Sequence, residues 1–133
     1  MTYRLEANVR HRSGVTIIDL RGEIDGGAED VMEAVYASAE QDNPTAILLN
    51  FKRVTYINSK GIALIVLLLA KAQKSGDRLL ACSLNDHFRE IFDITRLSDY
   101  IGVYPNENTA LDTVLSLRAT FQASSEQPQV ETN

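Results

Sequence analysis

Apolar and polar residues alternate at the start of the chain, and this period of two predicts a half-buried strand. The apolar positions are Tyr3, Leu5, Ala7 and Val9. A second apolar run, Val15 to Leu20, follows the turn-forming pair Ser13-Gly14, so the two runs are predicted to form a hairpin. Arg21 to Gly27 contains three glycines and is predicted to be a loop.

The next apolar positions recur at helical spacing and then give way to a continuous apolar run. The helical set is Ala28, Val31, Met32, Val35 and Ala39. Asn43-Pro44 is predicted to end that helix. Ala46 to Phe51 is almost wholly apolar. Such a run is typical of a central strand covered on both faces, although the pattern alone also fits a helical fragment.

The stretch from Val54 to Gly76 is the part around which the rest is organised. It is predicted to leave a strand, turn sharply at Asn58 and Ser59, and continue as a long helix. Ile62 to Ala70 contains no polar side chain, yet it is too short for a bilayer, which needs about 20 apolar residues. We therefore predict a helix buried on most sides against a sheet. The residues assigned to its buried face include Leu64, Val66 and Leu67.

The remaining segments continue the alternation of strand and helix. They are a strand at Arg78–Ser83, a helix beginning at Asn85 or Asp86, an edge strand at Ile101–Tyr104 and a helix at Asn106–Phe121. This order implies parallel pairing with right-handed crossovers. The predicted fold is one α/β domain over residues 1–121. It has a mixed sheet of four or five strands and about four helices packed mainly on one face. Residues 122–133 are polar and are predicted to be a disordered tail.

Composition excludes several classes of function. A net charge of −5 argues against nucleic acid as the main partner. The single cysteine, Cys82, can form no internal disulfide, and neither His11 nor His87 has other ligands at metal-binding spacing. No cofactor motif is present, so we expect neither a metal nor a cofactor. The first ten residues lack the apolar segment of a signal peptide, and we expect a cytoplasmic protein without membrane insertion.

One serine stands at a chemically favourable place. Ser59 is predicted at the mouth of the long helix, beside backbone N–H groups that have no partner within the helix. That position favours an added anion, and a phosphoryl group is the natural one. The simpler interpretation is that Ser59 only caps the helix. Glu23 and Asp25 could form an acid/base pair, although carboxylates two residues apart in a loop are more typical of turns.

Three segments in order resemble the STAS domain family, whose best-known members are the bacterial anti-sigma factor antagonists. They are GEID at residues 22–25, YINSKGI at 56–62 and FREIFDITRL at 88–97. The similarity covers about Leu5 to Leu117. The resemblance implies a protein that binds an anti-sigma factor, a serine kinase of the GHKL type, while unphosphorylated. The kinase then modifies a serine at the start of the second helix, and a PP2C-like phosphatase removes the phosphate.

The residue that matches the modified serine is Ser59, and the family's acid in the loop after the second strand is matched by Asp25. The family's switch motif reads Asp-Ser-Ser/Thr-Gly, whereas this chain has Asn58, Ser59, Lys60 and Gly61. Asn58 keeps the helix cap and removes a negative charge. Lys60 replaces a hydroxyl with a cation that could pair with a phosphate. We assign Asp25, Asn58, Lys60 and Gly61 to the switch and docking surface. We expect docking to centre on the loop ends around Gly22 to Gly27 and on the exposed face of the helix that begins at Ser59.

Two other functions stay open at the level of sequence. The chain could be a STAS scaffold without a phosphorylation cycle, for example a subunit of a signalling complex or of a transporter assembly. It could also be an enzyme, although no nucleophile motif of the G-x-S-x-G type surrounds Ser59. The sequence fixes neither the sigma factor nor the oligomeric state.

Overall fold

The computed structural model describes residues 4–117 and 119. Within them lies a five-stranded mixed sheet with the strands in chain order, β1-β2-β3-β4-β5. Its strands are β1 (Glu6–Arg12), β2 (Val15–Ile24), β3 (Ala46–Ile57), β4 (Leu79–Cys82) and β5 (Gly102–Tyr104). β1 and β2 form the predicted antiparallel hairpin, and each later neighbour pairs in parallel. The predicted tail at 122–133 lies outside the described residues.

Four helices cover the sheet unequally. They are α1 (Glu29–Glu40), α2 (Ser59–Ser75), α3 (Asp86–Ile94) and α4 (residues 107–117). The first three pack on one face over a large apolar core. α4 covers part of the other face through Ala110, Leu111 and Val114, which form a smaller core with residues of β2, β3 and β4. The predicted fold class is therefore confirmed, including the concentration of helices on one face.

The central strand is where the apolar run predicted it. Residues 46–49 and Phe51 are buried, because α1–α3 cover one face of β3 and α4 covers the first half of the other. β3 continues to Ile57 and so includes the strand tail that was predicted to begin at Val54. β2 continues past its predicted end at Leu20 to Ile24. Arg21 and Gly22 were assigned to a loop, and this is wrong. They pair with Arg53 and Val54 of β3, with irregularities in the register before and after them.

The burial of α2 also differs from the sequence prediction. Leu64 is in the core at 8% exposure, as predicted, but Val66 is 45% and Leu67 50% exposed. The sheet covers one side of the helix and leaves the other side open. Because the run is apolar all the way round, some of its apolar side chains remain exposed. No helix in the described part of the chain has the length and apolarity needed to cross a membrane.

Candidate functional site

The start of α2 is built around Asn58. Its backbone is extended, and its side-chain oxygen accepts a hydrogen bond from the Gly61 amide at 2.9 Å. Its carbonyl oxygen accepts the first bond of the helix, from the Ile62 amide at 2.9 Å. Asn58 therefore performs the capping role by itself. Both Asn58 and Ser59 were candidate caps from the sequence, and the structure assigns the cap to Asn58.

Ser59 is the first residue of α2 and is exposed. Within the described residues its hydroxyl makes no hydrogen bond. The amides of Ser59 and Lys60 lie in the first turn, where a helix offers no carbonyl acceptor to its N–H groups. An anion attached to Ser59 would therefore meet unpaired donors and the positive end of the helix dipole. The fold does not use the hydroxyl, so it remains available for chemistry.

Gly61 lets the start of α2 rest directly against the end of β2. A Cβ atom added at Gly61 would lie 1.9 Å from the carbonyl oxygen of Ile24. The same oxygen accepts a hydrogen bond from the Asn58 amide at 3.3 Å. The role of this glycine is thus to bring two backbone segments together. Gly61 itself is buried. Its predicted part in docking stays a prediction.

Asp25 lies next to the α2 start, as the resemblance implied. Its carboxylate accepts a hydrogen bond from the Gly27 amide at 2.9 Å and caps the short 3-10 turn Gly26–Ala28. The neighbouring Gly26 lies under the Lys60 side chain, because a Cβ added there would be 2.9 Å from the Lys60 Cδ. The structure therefore brings Asp25, Asn58, Ser59, Lys60 and Gly61 to one place, the ends of the neighbouring strands β2 and β3.

An exposed apolar surface runs along α2 from Ser59. Its members, which we call the apolar stripe, are Ala63, Val66, Leu67 and Ala70. They lie four, seven, eight and eleven residues after Ser59, the spacing of one helix face. The sequence analysis expected an exposed docking face on this helix but assigned Val66 and Leu67 to its buried face, so it missed the apolar character of that surface. The signal was present: positions 61, 64, 65, 68 and 72 already form a complete buried face.

The chemistry available here is that of recognition and modification. The described residues contain no group of three His, Cys, Asp or Glu side chains that could hold a metal ion. The Asp25 carboxylate accepts the capping hydrogen bond of the 3-10 turn. What the site offers is a free hydroxyl, a helix N-terminus, a lysine and an adjoining apolar face.

The family model of the STAS domain matches residues 6–110. The chain belongs to the STAS domain family. The match covers every element from β1 to the first part of α4, including the α2 start. The three segments that carried the resemblance all lie within it.

Proteins similar to this chain carry names that point to different functions. The anti-sigma F factor antagonist of Paenibacillus polymyxa is 26% identical over 108 residues, which are 80% of this chain and 92% of that relative. An anti-sigma factor antagonist from Mycobacterium paratuberculosis superposes with a TM-score of 0.74 at 21% identity, covering 86% of this chain and 98% of the other. A sulfate transporter family protein from Wolinella succinogenes gives a TM-score of 0.71 at 21% identity, covering 83% and 92%. The same fold therefore occurs in anti-sigma factor antagonists and in a sulfate transporter family protein, so the fold alone does not show which function this chain has.

Proposed function

We propose that this STAS protein is an anti-sigma factor antagonist whose binding is controlled by phosphorylation of Ser59. Unphosphorylated, it binds an anti-sigma factor that is a GHKL-type serine kinase. Phosphorylation by that kinase releases it, and a PP2C-like phosphatase restores binding. In this role it acts as a binding module rather than as an enzyme, and it works in the cytoplasm, where sigma factors act.

The observation that carries the proposal is the position of Ser59 at the head of the apolar stripe. A kinase must reach the hydroxyl, and Ser59 is exposed and unbonded within the described residues. Docking of a partner requires an exposed apolar surface, and the side chains of Val66 and Leu67, on the same helix as Ser59, are about half exposed. Modification and docking thus concern one continuous surface.

The physical basis of the switch is the cost of burying a charge. A phosphoserine carries a charge of about −1.5 to −2 at neutral pH. In the free protein the α2 N-terminus and Lys60 can stabilise that charge in contact with water. A partner seated on the apolar stripe would exclude the water, and an unmatched charge in such an interface costs several kcal/mol. The fold should survive modification while the complex is lost.

The decisive experiment is a mass measurement after incubation with the cognate anti-sigma kinase and ATP. One phosphate should appear, and peptide mapping should place it on Ser59. Ser59→Ala should bind the kinase and gain no mass, and Ser59→Asp should bind weakly. Ser38→Ala and Ser38→Asp are the matched controls, because Ser38 is an exposed serine on α1. Phosphate on Ser59→Ala, or tight binding of Ser59→Asp, would refute the proposal.

The docking surface has a test of its own. Val66→Glu should abolish kinase binding, because it places a charge in the middle of the apolar stripe. Ala37→Glu makes the same addition on exposed α1 and should bind normally. We include Asp25–Gly27 in the docking surface, whereas Gly22 and Ile24 are buried in the sheet. If Val66→Glu binds the kinase normally, the docking surface does not include the apolar stripe of α2.

The second candidate is a STAS scaffold without a phosphorylation cycle. It is favoured by the departures at Asn58 and Lys60 and by the similarity of fold to a sulfate transporter family protein. Its signature is an unchanged mass after kinase treatment, together with Ser59→Asp and wild-type proteins that bind their partners equally well.

A further inference from the structure

The sheet face opposite α1–α3 carries a polar groove that the proposed function does not use. α4 covers only the first half of β2 and β3 on this face, where their side chains are apolar. Beyond the part that α4 covers, the side chains of β2 and β3 on this face are polar, among them Asp19 on β2 and Asn50 on β3. With β1 and the loops after β4 and β5, they enclose a groove of about 1020 Å³. That volume is in the range of small-molecule sites.

The carboxylates at one side of the groove are already neutralised. Arg10 contacts Asp19 at 2.5 and 2.9 Å and Glu107 at 2.6 Å, and Arg12 also pairs with Glu107. Asn50 donates a further hydrogen bond to Asp19 at 2.9 Å. These contacts hold the pKa of both carboxyl groups below their usual values, the hydrogen bonds from Arg10 being the largest cause. The negative charges of the two acids and the positive charges of the two arginines therefore cancel within one network.

Three further cations line the groove. Arg21, Lys52 and Arg53 are all exposed. Glu6 on β1 is the cross-strand partner of Arg21, and the charge of Arg53 helps to lower the pKa of Asp19. Arg21 and Arg53 are partners in the parallel β2–β3 pair, so two guanidinium groups stand on neighbouring strands. The irregular β2–β3 register between Asp19 and Arg21 lets the consecutive residues Lys52 and Arg53 both line the groove. Glu6 is the one carboxylate of the lining outside the neutralised network.

From this arrangement we infer that the groove binds a small anion that carries phosphate groups. Two guanidinium groups can each take phosphate oxygens in a bidentate manner, and the lysine adds a third positive charge. The groove is concave and the chain as a whole is acidic, with a net charge of −5. A small ligand therefore fits better than a nucleic acid or a long acidic partner.

This site is separate from the Ser59 surface. Ser59 opens a helix on the face covered by α1–α3, whereas the groove lies on the opposite face beside α4. The inference does not rest on the proposed function, and either can fail without the other. Ligand binding can be measured on the full chain without kinase, phosphatase or ATP.

The test uses inorganic pyrophosphate as the probe, with calorimetry and amide chemical shifts of labelled protein. Wild type should bind it, with shifts concentrated at Arg21, Lys52 and Arg53. The double variant Arg21→Gln/Arg53→Gln should bind at least about tenfold more weakly. Arg78→Gln is the matched control, since Arg78 is exposed at the amino end of β4, and its affinity should stay within about a factor of two. Citrate, a carboxylate of similar charge, should bind more weakly than pyrophosphate.

Several results would overturn the inference. Absence of binding, or equal loss in Arg78→Gln, would show that the groove has no specific site. Shifts confined to the α2 start would assign the anion to the helix N-terminus instead. Binding of polyglutamate but not of pyrophosphate would indicate an acidic protein segment as the ligand. The double variant should unfold at the same urea concentration as wild type or at a higher one. A lower midpoint would show that the arginines are structural, and the single variants would then identify which one.

Discussion

Gly61→Ala tests the contact that fixes the α2 start against the sheet. The added Cβ would lie 1.9 Å from the Ile24 carbonyl oxygen, whereas real Cβ atoms essentially never come within 3.0 Å of another atom there. The helix start and the end of β2 must separate by about 1.1 Å to remove the overlap. No side-chain rotation can relieve it, because both atoms are fixed to the backbone.

The cost of that separation has two parts. Overpacking a rigid site costs about 1–3 kcal/mol. The hydrogen bond from the Asn58 amide to the same oxygen is already 3.3 Å long and would be lost, leaving partly buried groups unpaired at about 1–3 kcal/mol. The better helix propensity of alanine returns about 1 kcal/mol. We expect Gly61→Ala to lower the free energy of unfolding by about 3 kcal/mol.

The assay is urea unfolding followed by far-UV circular dichroism, since the chain has no tryptophan. Gly76→Ala is the control. Gly76 ends the same helix at a φ of 76°, and nothing lies within 4 Å of its added Cβ. Its cost should be only the backbone strain, about 1 kcal/mol. If Gly61→Ala costs no more than Gly76→Ala, the α2 start can move away from β2 freely, and the reasoning is refuted.

Three further predictions concern burial, the cap and pH. Ile65→Asp should lower the free energy of unfolding by several kcal/mol, because the Ile65 side chain is 0% exposed. Val66→Asp, at the neighbouring position that is 45% exposed, should lower it by less than about 1 kcal/mol. Equal melting temperatures of the two variants would contradict the burial of α2 at Ile65. Asn58→Ala should cost about 1 kcal/mol and Asn58→Asp almost nothing, and equal losses in urea unfolding would show that the side-chain oxygen is not the cap. Arg10→Gln should reduce stability at neutral pH, because Arg10 holds the pKa of two carboxyl groups below their ordinary 3.8 and 4.5. That contribution is lost as the pH falls through the lowered pKa values, so a difference between wild type and Arg10→Gln that is unchanged from about pH 7 to about pH 2 would refute it.

The sequence predicted the centre of the fold well, because there the pattern and the environment agree. Ala46–Phe51 is apolar on both faces, and both faces are covered where it is apolar. The prediction failed where a pattern is compatible with two environments. Val66 and Leu67 continue an apolar run, but periodicity cannot say whether a second layer covers them. Only the arrangement of the helices on the sheet decides that.

The candidate site was predictable in part for a similar reason. Asn58 and Ser59 were recognisable as a helix start from local chemistry alone. Which of them caps depends on side-chain direction, which the sequence does not contain. The polar groove was not predictable, because it depends on the pairing of Arg21 with Arg53. That pairing follows from an irregular register between two strands, and glycines near Arg21 favoured a loop there.

The division of work between Asn58 and Ser59 has a consequence for the life of the protein in a cell. Asn58 holds the helix end with its own side chain, so the neighbouring hydroxyl contributes nothing to the native state. A phosphate attached to that hydroxyl breaks no capping bond, and the α2 N-terminus and Lys60 can stabilise its charge, so the fraction of unfolded molecules should not rise. Proteases and chaperones act on that fraction. The modified protein should therefore be degraded no faster than the unmodified one, so that the same molecules can be phosphorylated and dephosphorylated repeatedly without new synthesis.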